Sequence, residues 1–236
     1  QTALVQSAKL ATIGQLSAGI NHEINQPLSA MNTYLASAKI FLKKGKLNAL
    51  NENLIIIENL VERVHKIVAQ LKHFSKPATM QLRPHPLSAL LNNALMITHP
   101  QLKQDDVNVS APQFSQEITV WVDALKFEQV LVNVITNASQ AMKGEPVREL
   151  SFDVECFEER VKLSILDSGP GIEHHVLGSI FEPFYSTKSS NGLGLGLSIS
   201  KQIIESFNGY LTAHNRPEGG AQFIISLSSI EATKND

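Results

Sequence analysis

The chain has 236 residues, 43% of them hydrophobic and 18% charged, with a formal net charge of −2; this suits one medium domain plus a smaller element and gives no general reason to bind nucleic acid or an anionic membrane surface. Its single Cys156 excludes an internal disulfide and reads as a buried, inert thiol in a reducing compartment. No apolar run is long enough to span a membrane and no secretory signal opens the chain, which starts at Gln1 and is expected to be a soluble piece of something larger.

From about Leu4 to Leu42, apolar residues at Leu10, Ile13, Leu16, Ile20, Ile24, Leu28, Met31, Leu35, Ala38 and Leu42 keep the three-and-four spacing of one helical stripe. At about 100° per residue, His22 points roughly opposite that stripe. It is followed by Glu23, Ile24, Asn25, Gln26 and Pro27, so this imidazole is expected to face water. A zinc-protease helix would need a second histidine where Gln26 stands. Lys43 to Lys46 breaks the pattern, and Leu47 to Phe74 resumes it with Leu50, Leu54, Ile57, Leu60, Val61, Val64, Val68 and Leu71. Two such helices alone leave much of the stripe uncovered. Pairing with a second copy into a four-helix bundle covers it, which predicts a homodimer.

Ser75 to Thr79, followed by Pro84 and Pro86, ends the second helix and reads as a linker, with a new domain expected from near Arg83. Ser88 to Thr98 has a helical pattern, Ile118 to Val122 alternates like a strand, and Asp123 is placed to cap a helix reaching about Met142. Ser151 to Cys156, Arg160 to Leu166, Gly209 to His214 and Gln222 to Leu227 read as strands of a mostly antiparallel sheet. Helices over one face of that sheet make an α+β sandwich. The expected division is a helical hairpin at 1–76, a linker at 77–86 and a larger domain at 87–236.

Glycine is unevenly spread, with nine of thirteen between Gly169 and Gly220. On the helix after Asp123, Asn133 and Asn137 stand four apart on one face. Amide oxygens are hard neutral ligands that suit Mg²⁺ shared with substrate phosphates, although two asparagines on a helix are more often plain surface. Asp167-Ser168-Gly169-Pro170-Gly171 sets a carboxylate at a strand end before two glycines, which serves either a tight turn or a close backbone approach to a ligand. Phe181 to Lys188 follows, then Gly192, Gly194 and Gly196 alternate immediately before a helical pattern. Backbone N–H groups there sit near a positive dipole end and suit phosphate.

Taken in order, these segments resemble the two-component sensor histidine kinases over nearly the whole chain, from about Gln6 to Leu227. His22-Glu23 resembles the phosphoacceptor box, Asn133 to Asn137 the N box, Asp167 to Gly171 and Gly192 to Gly196 the two glycine boxes, and Phe181 to Phe184 the F box. The wording around His22 looks most like the nitrogen-regulation and dicarboxylate-transport sensors. The resemblance implies a dimerisation and phosphotransfer hairpin joined to a Bergerat-type ATP-binding fold. ATP would bind between Asn137 and the glycine boxes, with Asp167 on the adenine amino group and Asn137 on Mg²⁺. Phe181 to Asn191 would form much of a lid, whose Lys188 either reaches the phosphates or stays solvated. The γ-phosphoryl group would pass to His22, assisted by Glu23, and then to an aspartate on a response regulator receiver domain. Pro27 would permit a bend that gates access.

The resemblance further implies the cytoplasmic portion of an inner-membrane sensor, attached only through segments absent from this chain. One departure concerns dephosphorylation of the regulator: many relatives place asparagine or threonine where Gln26 stands, which puts phosphatase activity in question. Gyrase-like and chaperone ATPases share the fold but carry a glutamate, as base, where Asn133 stands here. ATP hydrolysis as the main function and a non-catalytic dimeric scaffold are the competing readings.

Overall fold

The computed structural model describes residues 17–75, 80–112, 114, 116–157, 159–183, 185 and 194–231, without the side chains of 17–23, 66, 69–75, 230 and 231. Two compact units are present, one built on Gln1–Ala78 and one on Thr79–Tyr185 with Gly194–Asp236.

The first unit is a hairpin of α1 (Ser17–Lys43) and α2 (Leu47–Ser75). The predicted start of the first helix near Leu4 lies outside the described residues. Gly45 makes the turn with φ +65°, a left-handed conformation that costs glycine nothing. Pro27, Ala38, Asn53 and Ile67 form the buried line between the helices, and the Asn53 side chain donates to the Tyr34 carbonyl at 3.2 Å. Leu28, Leu35 and Leu42 on α1, and Leu47, Leu54, Val61 and Val68 on α2, remain exposed, each 39–65% accessible. These seven recur every seven residues along their helices, so each helix carries a second apolar seam that the hairpin does not bury. The helix runs on through Pro27.

The second unit is a seven-stranded sheet with helices on one face. In chain order it contains β1 (Arg83–Pro86), α3 (Leu87–Gln104), β2 (Asn108–Ser110), β3 (Ile118–Val122), α4 (Ala124–Ala141), β4 (Glu149–Phe157), β5 (Arg160–Asp167), α5 (Gly196–Ser206), β6 (Tyr210–Asn215) and β7 (Ala221–Glu231). The strand order is β1-β3-β7-β5-β4-β2, with β6 also on β7. All pairs are antiparallel except β2 with β4. The long β7 gives one edge to β5 and divides the other, Ala221–Ser226 pairing with β6 and Ser229–Glu231 with β3.

The alternation that predicted the strands has its physical counterpart in the burial. Ile118, Val120 and Val122 on β3, Val161, Leu163 and Ile165 on β5, and Phe223, Ile225 and Leu227 on β7 point to one side. Phe127, Val130, Leu131, Val134 and Ile135 of α4 close over them, fully buried. Asp123 caps α4 as expected, its carboxylate accepting from Lys126 N–H at 3.3 Å.

Four features differ from the sequence reading, the first being that Cys156, read as buried, is exposed near the end of β4. Arg83–Pro86, placed in the linker, is a strand paired with β3. Its prolines at 84 and 86 share one parity on the terminal strand, so their missing donors fall on the unpaired edge. The helix expected to stop at Thr98 continues through Pro100 to Gln104, because Pro100 is exposed while Thr98 and Leu102, one turn apart, are both buried and anchor the end. The short β2 has only Val109 partly buried, too little apolar alternation to read as a strand.

Because Phe127 is wholly buried where α4 meets the sheet, Phe127→Ala is expected to lower the unfolding free energy by about 3–5 kcal/mol. Urea denaturation followed by circular dichroism checks this.

Candidate functional site

The second unit gathers the N-box asparagines, the end of β5 and the start of α5. On α4, Asn133 donates its amide to Ser200 Oγ of α5 at 3.0 Å. A Cβ at Gly196 would overlap Asn133 Oδ1, so this glycine is what lets the first turn of α5 lie against α4. Asn133 is therefore occupied in holding α5. Asn137, one turn on and partly exposed, makes no side-chain hydrogen bond among the described residues. Its whole amide is left for a ligand, whereas Asn133 keeps only Oδ1 unbonded among the described residues.

Helix α5 begins at Gly196 without a side-chain cap, because Leu195 precedes it. Gly194 has φ +64°, and Ser198 Oγ turns inward to the Leu195 carbonyl at 2.9 Å. Among the described residues no side chain caps the opening N–H groups of this helix, which is the arrangement that suits an anion. Gly192 and Lys188 lie outside the described residues. Phe181 of the F box packs beneath Lys201, whose Nζ is 5.5 Å from the ring centroid.

Asp167 ends β5 and is only 2% exposed. Its Oδ1 accepts from Gly169 N–H at 2.9 Å and from Ala221 N–H at 3.1 Å. Oδ2 takes no hydrogen bond among the described residues, so the carboxylate is fixed with one oxygen spare. Burial raises the Asp167 carboxyl above its ordinary value; the two backbone bonds and the Arg216 charge pull the other way without cancelling it. Gly169 lets the loop approach the Ala141 backbone at the end of α4, 3.5 Å from where a Cβ would be. Gly171 has φ +81°, and Gly220, at φ +87°, has no room for a Cβ beside the Asp167 carbonyl.

Of the residues predicted to act, Asn133, Asn137, Asp167, Gly169, Gly171, Gly194 and Gly196 thus fall in this one unit. His22 and Glu23 lie on α1, and their side chains are outside the described residues. Sequence reasoning missed Ser200, Asn215 and Arg216. Ser200 has no local signal, and Asn215 and Arg216 resemble ordinary turn residues ahead of Gly219-Gly220. No group of three or more His, Cys, Asp or Glu able to hold a metal occurs among the described residues. A cation here would depend on few protein ligands and on substrate oxygens, which fits the neutral amide of Asn137.

Residues 122–230 match the family of histidine kinase-, DNA gyrase B- and HSP90-like ATPases, which defines the class of the second unit. The C4-dicarboxylate transport sensor protein DctB of Rhizobium meliloti (strain 1021) is 32% identical over 231 residues, 96% of this chain and 36% of that protein. The two-component sensor PprA of Pseudomonas aeruginosa is 34% identical over 235 residues, 96% of this chain and 25% of that protein. Among solved structures, histidine kinase ThkA in complex with response regulator protein TrrA is similar over 94% of this chain and 64% of that one, at 25% identity and a TM-score of 0.77. The catalytic domain of ThkA, at 27% identity, is similar over 63% of this chain and 96% of its own, with a TM-score of 0.58. The chain belongs to the two-component sensor histidine kinases. It spans 36%, 25% and 37% of the length of three curated relatives that it matches.

The raised Asp167 carboxyl has a consequence with a definite sign. A folded-state value above the unfolded one contributes stability that is fully present below the unfolded value and lost as pH rises through the folded one. Ionised Asp167 therefore destabilises the fold at neutral pH. Without nucleotide, Asp167→Asn is expected to match the wild-type Tm in acid and to exceed it once the pH has risen past the folded-state value of Asp167, as checked by scanning calorimetry from acid to alkaline pH.

Proposed function

We propose that this chain is the kinase core of a sensor protein. It binds ATP with Mg²⁺ in its second unit, phosphorylates His22, and passes the phosphoryl group to an aspartate on the receiver domain of a response regulator. The observation that carries this reading is the buried Asp167, held by two backbone N–H groups with Oδ2 unbonded, in the same unit as Asn137 and the uncapped start of α5. An enforced carboxylate acceptor suits the adenine amino group, and exposed helix N–H groups suit phosphate.

In the first step neutral His22 uses a ring lone pair to attack the γ-phosphorus. A nitrogen–phosphorus bond forms as the bond to the bridging oxygen breaks, and the electron pair leaves on ADP. Glu23 accepts a hydrogen bond from the other ring N–H, favouring the reactive tautomer and stabilising the positive charge that develops. Mg²⁺, when bound, supplies charge neutralisation at the phosphates, and the Asn137 side-chain oxygen would hold it. Phe181 to Asn191 act as the lid, Lys188 adds charge near the phosphates, and Gly192, Gly194 and Gly196 let the backbone approach them. Because Asn133 is engaged with Ser200 and an amide cannot activate water as a base, simple ATP hydrolysis is disfavoured.

The domain roles follow: 1–76 for dimerisation and phosphotransfer, 77–86 as connection, and 87–236 for catalysis. Pro27, which leaves α1 without one ladder hydrogen bond, allows the bend that gates access to His22. The seven-residue apolar seams left exposed on α1 and α2 support a homodimer, since a second hairpin would bury them in a four-helix bundle. The response regulator partner is supported by the resemblance to ThkA, solved in complex with response regulator protein TrrA. Among the described residues no helix is long and apolar enough to cross a membrane. The chain would serve as the cytoplasmic portion of an inner-membrane sensor.

Incubation with γ-labelled ATP tests the chemistry. The expected result is acid-labile label on the wild type and none on His22→Ala; free phosphate without protein label would indicate a hydrolase, and neither product a scaffold. For assembly, Leu54→Glu with Val61→Glu is expected to convert a dimer to a monomer in light scattering, because two charges would enter the buried seam. An unchanged dimer mass would place the interface elsewhere.

A further inference from the structure

We infer that Asn215 and Arg216, at the end of β6, are positioning residues that set the base selectivity of the nucleotide site from outside it, by clamping both ends of the loop from Asp167 to Ile172. This rests on the reading of Asp167 as the adenine acceptor. After Ser168, whose N–H bonds to the Glu149 carbonyl at 3.1 Å, the loop leaves the β-ladder. Among the described residues, Gly169 and Gly171 make no backbone-to-backbone hydrogen bond. Side chains must hold its shape.

Asn215 holds the far end. Its Oδ1 accepts from Ile172 N–H at 2.7 Å, and its Nδ2 donates to the Ile172 carbonyl at 2.6 Å. One amide thus meets both backbone groups of one residue, as a paired strand would. The contact is close enough that a Cβ on Gly171 would lie 2.9 Å from Asn215 Oδ1, so glycine there is matched to this asparagine. Arg216 holds the near end. It is fixed by the turn, its N–H bonding to the Gly220 carbonyl at 3.0 Å, and by Glu218, whose Oε1 is 2.7 Å from Nη2 of the guanidinium. From there Nη1 donates to the Asp167 carbonyl at 3.0 Å. Adjacent residues therefore grip the two ends of one short loop.

Selectivity follows from rigidity. Adenine offers an amino donor where guanine has a carbonyl acceptor. Asp167 Oδ2 rejects guanine only if the base cannot shift to another pairing. That requires the carboxylate and the glycine backbone to be held to about 0.5 Å of each other, which the clamp provides. Phosphate recognition, at α5, does not depend on it.

The full chain, wild type and with Asn215→Ala, Asn215→Asp or Arg216→Ala, is titrated calorimetrically with Mg²⁺-ATP, Mg²⁺-GTP and Mg²⁺-tripolyphosphate. ATP affinity is expected to fall about five- to ten-fold, the scale of one or two net hydrogen bonds, while GTP and tripolyphosphate change little. The ATP-to-GTP ratio therefore drops. Asn215→Asp, which sets an oxygen against the Ile172 carbonyl, is expected to act at least as strongly as the alanine. Hydrogen exchange on the unliganded variants should speed at the Ile172 amide and stay unchanged along α4. An unchanged ATP-to-GTP ratio, or opening of α4 together with the loop, overturns the inference while leaving the kinase reading intact. A wild type that binds ATP no better than tripolyphosphate overturns the adenine reading itself.

Discussion

A carboxylate taken out of water at the end of a strand is the constraint on which the second unit depends. Burial disfavours its charge, and two backbone N–H groups, from Gly169 and Ala221, recover part of that cost. Those donors come from the loop after β5 and from the start of β7, so holding one oxygen of Asp167 brings together two segments over fifty residues apart. Close approach then dictates composition: Gly169 packs on α4, and Gly220 passes the Asp167 carbonyl where no side chain fits. The glycines crowded between Gly169 and Gly220 are there largely because backbone meets backbone and side chain at van der Waals distance. Ionising a carboxyl in such an environment costs stability, the trade that recognition sites commonly make.

Much of this was legible in the sequence, for reasons that can be traced. Strands β3, β5 and β7 alternate because one face is buried, and Asp123 announced α4 because a carboxylate before an apolar period caps a helix. Asp167 and the glycines around it were legible as a set, though not their division of labour. Gly196 was read as a phosphate-facing residue, yet it also makes room for Asn133, and Asn133 is turned to Ser200 rather than left open. The pairing with Ser200 spans 67 positions, and the Asn215 clamp spans 43. Hydrogen bonds between such distant polar residues leave no periodic trace. The edge strand Arg83–Pro86 was hidden for the opposite reason: its prolines carry a strong local signal for a break, which the free edge of the sheet makes irrelevant.

The hairpin shows a different economy. Among the described side chains its most buried line runs through Pro27, Ala38, Asn53 and Ile67, one of whose members is a polar residue bonded to the facing helix. The larger aliphatic side chains stand on the neighbouring seams, every seventh residue. The stripe that looked like one face in the sequence is thus two adjacent faces, of which the hairpin uses one.

The position of β7 constrains how the second unit is made. It pairs with β3, β5 and β6, and the β3 contact joins Ile118 to Glu231. Until β7 has emerged from the ribosome, β3 has only the four-residue β1 beside it, and β5 has an open edge. Nascent chains of this unit would therefore wait, with apolar strand faces unsheltered, for a segment synthesised after every other strand. Non-local closure of that kind is slow, and it exposes the chain to chaperones and to misassociation during translation.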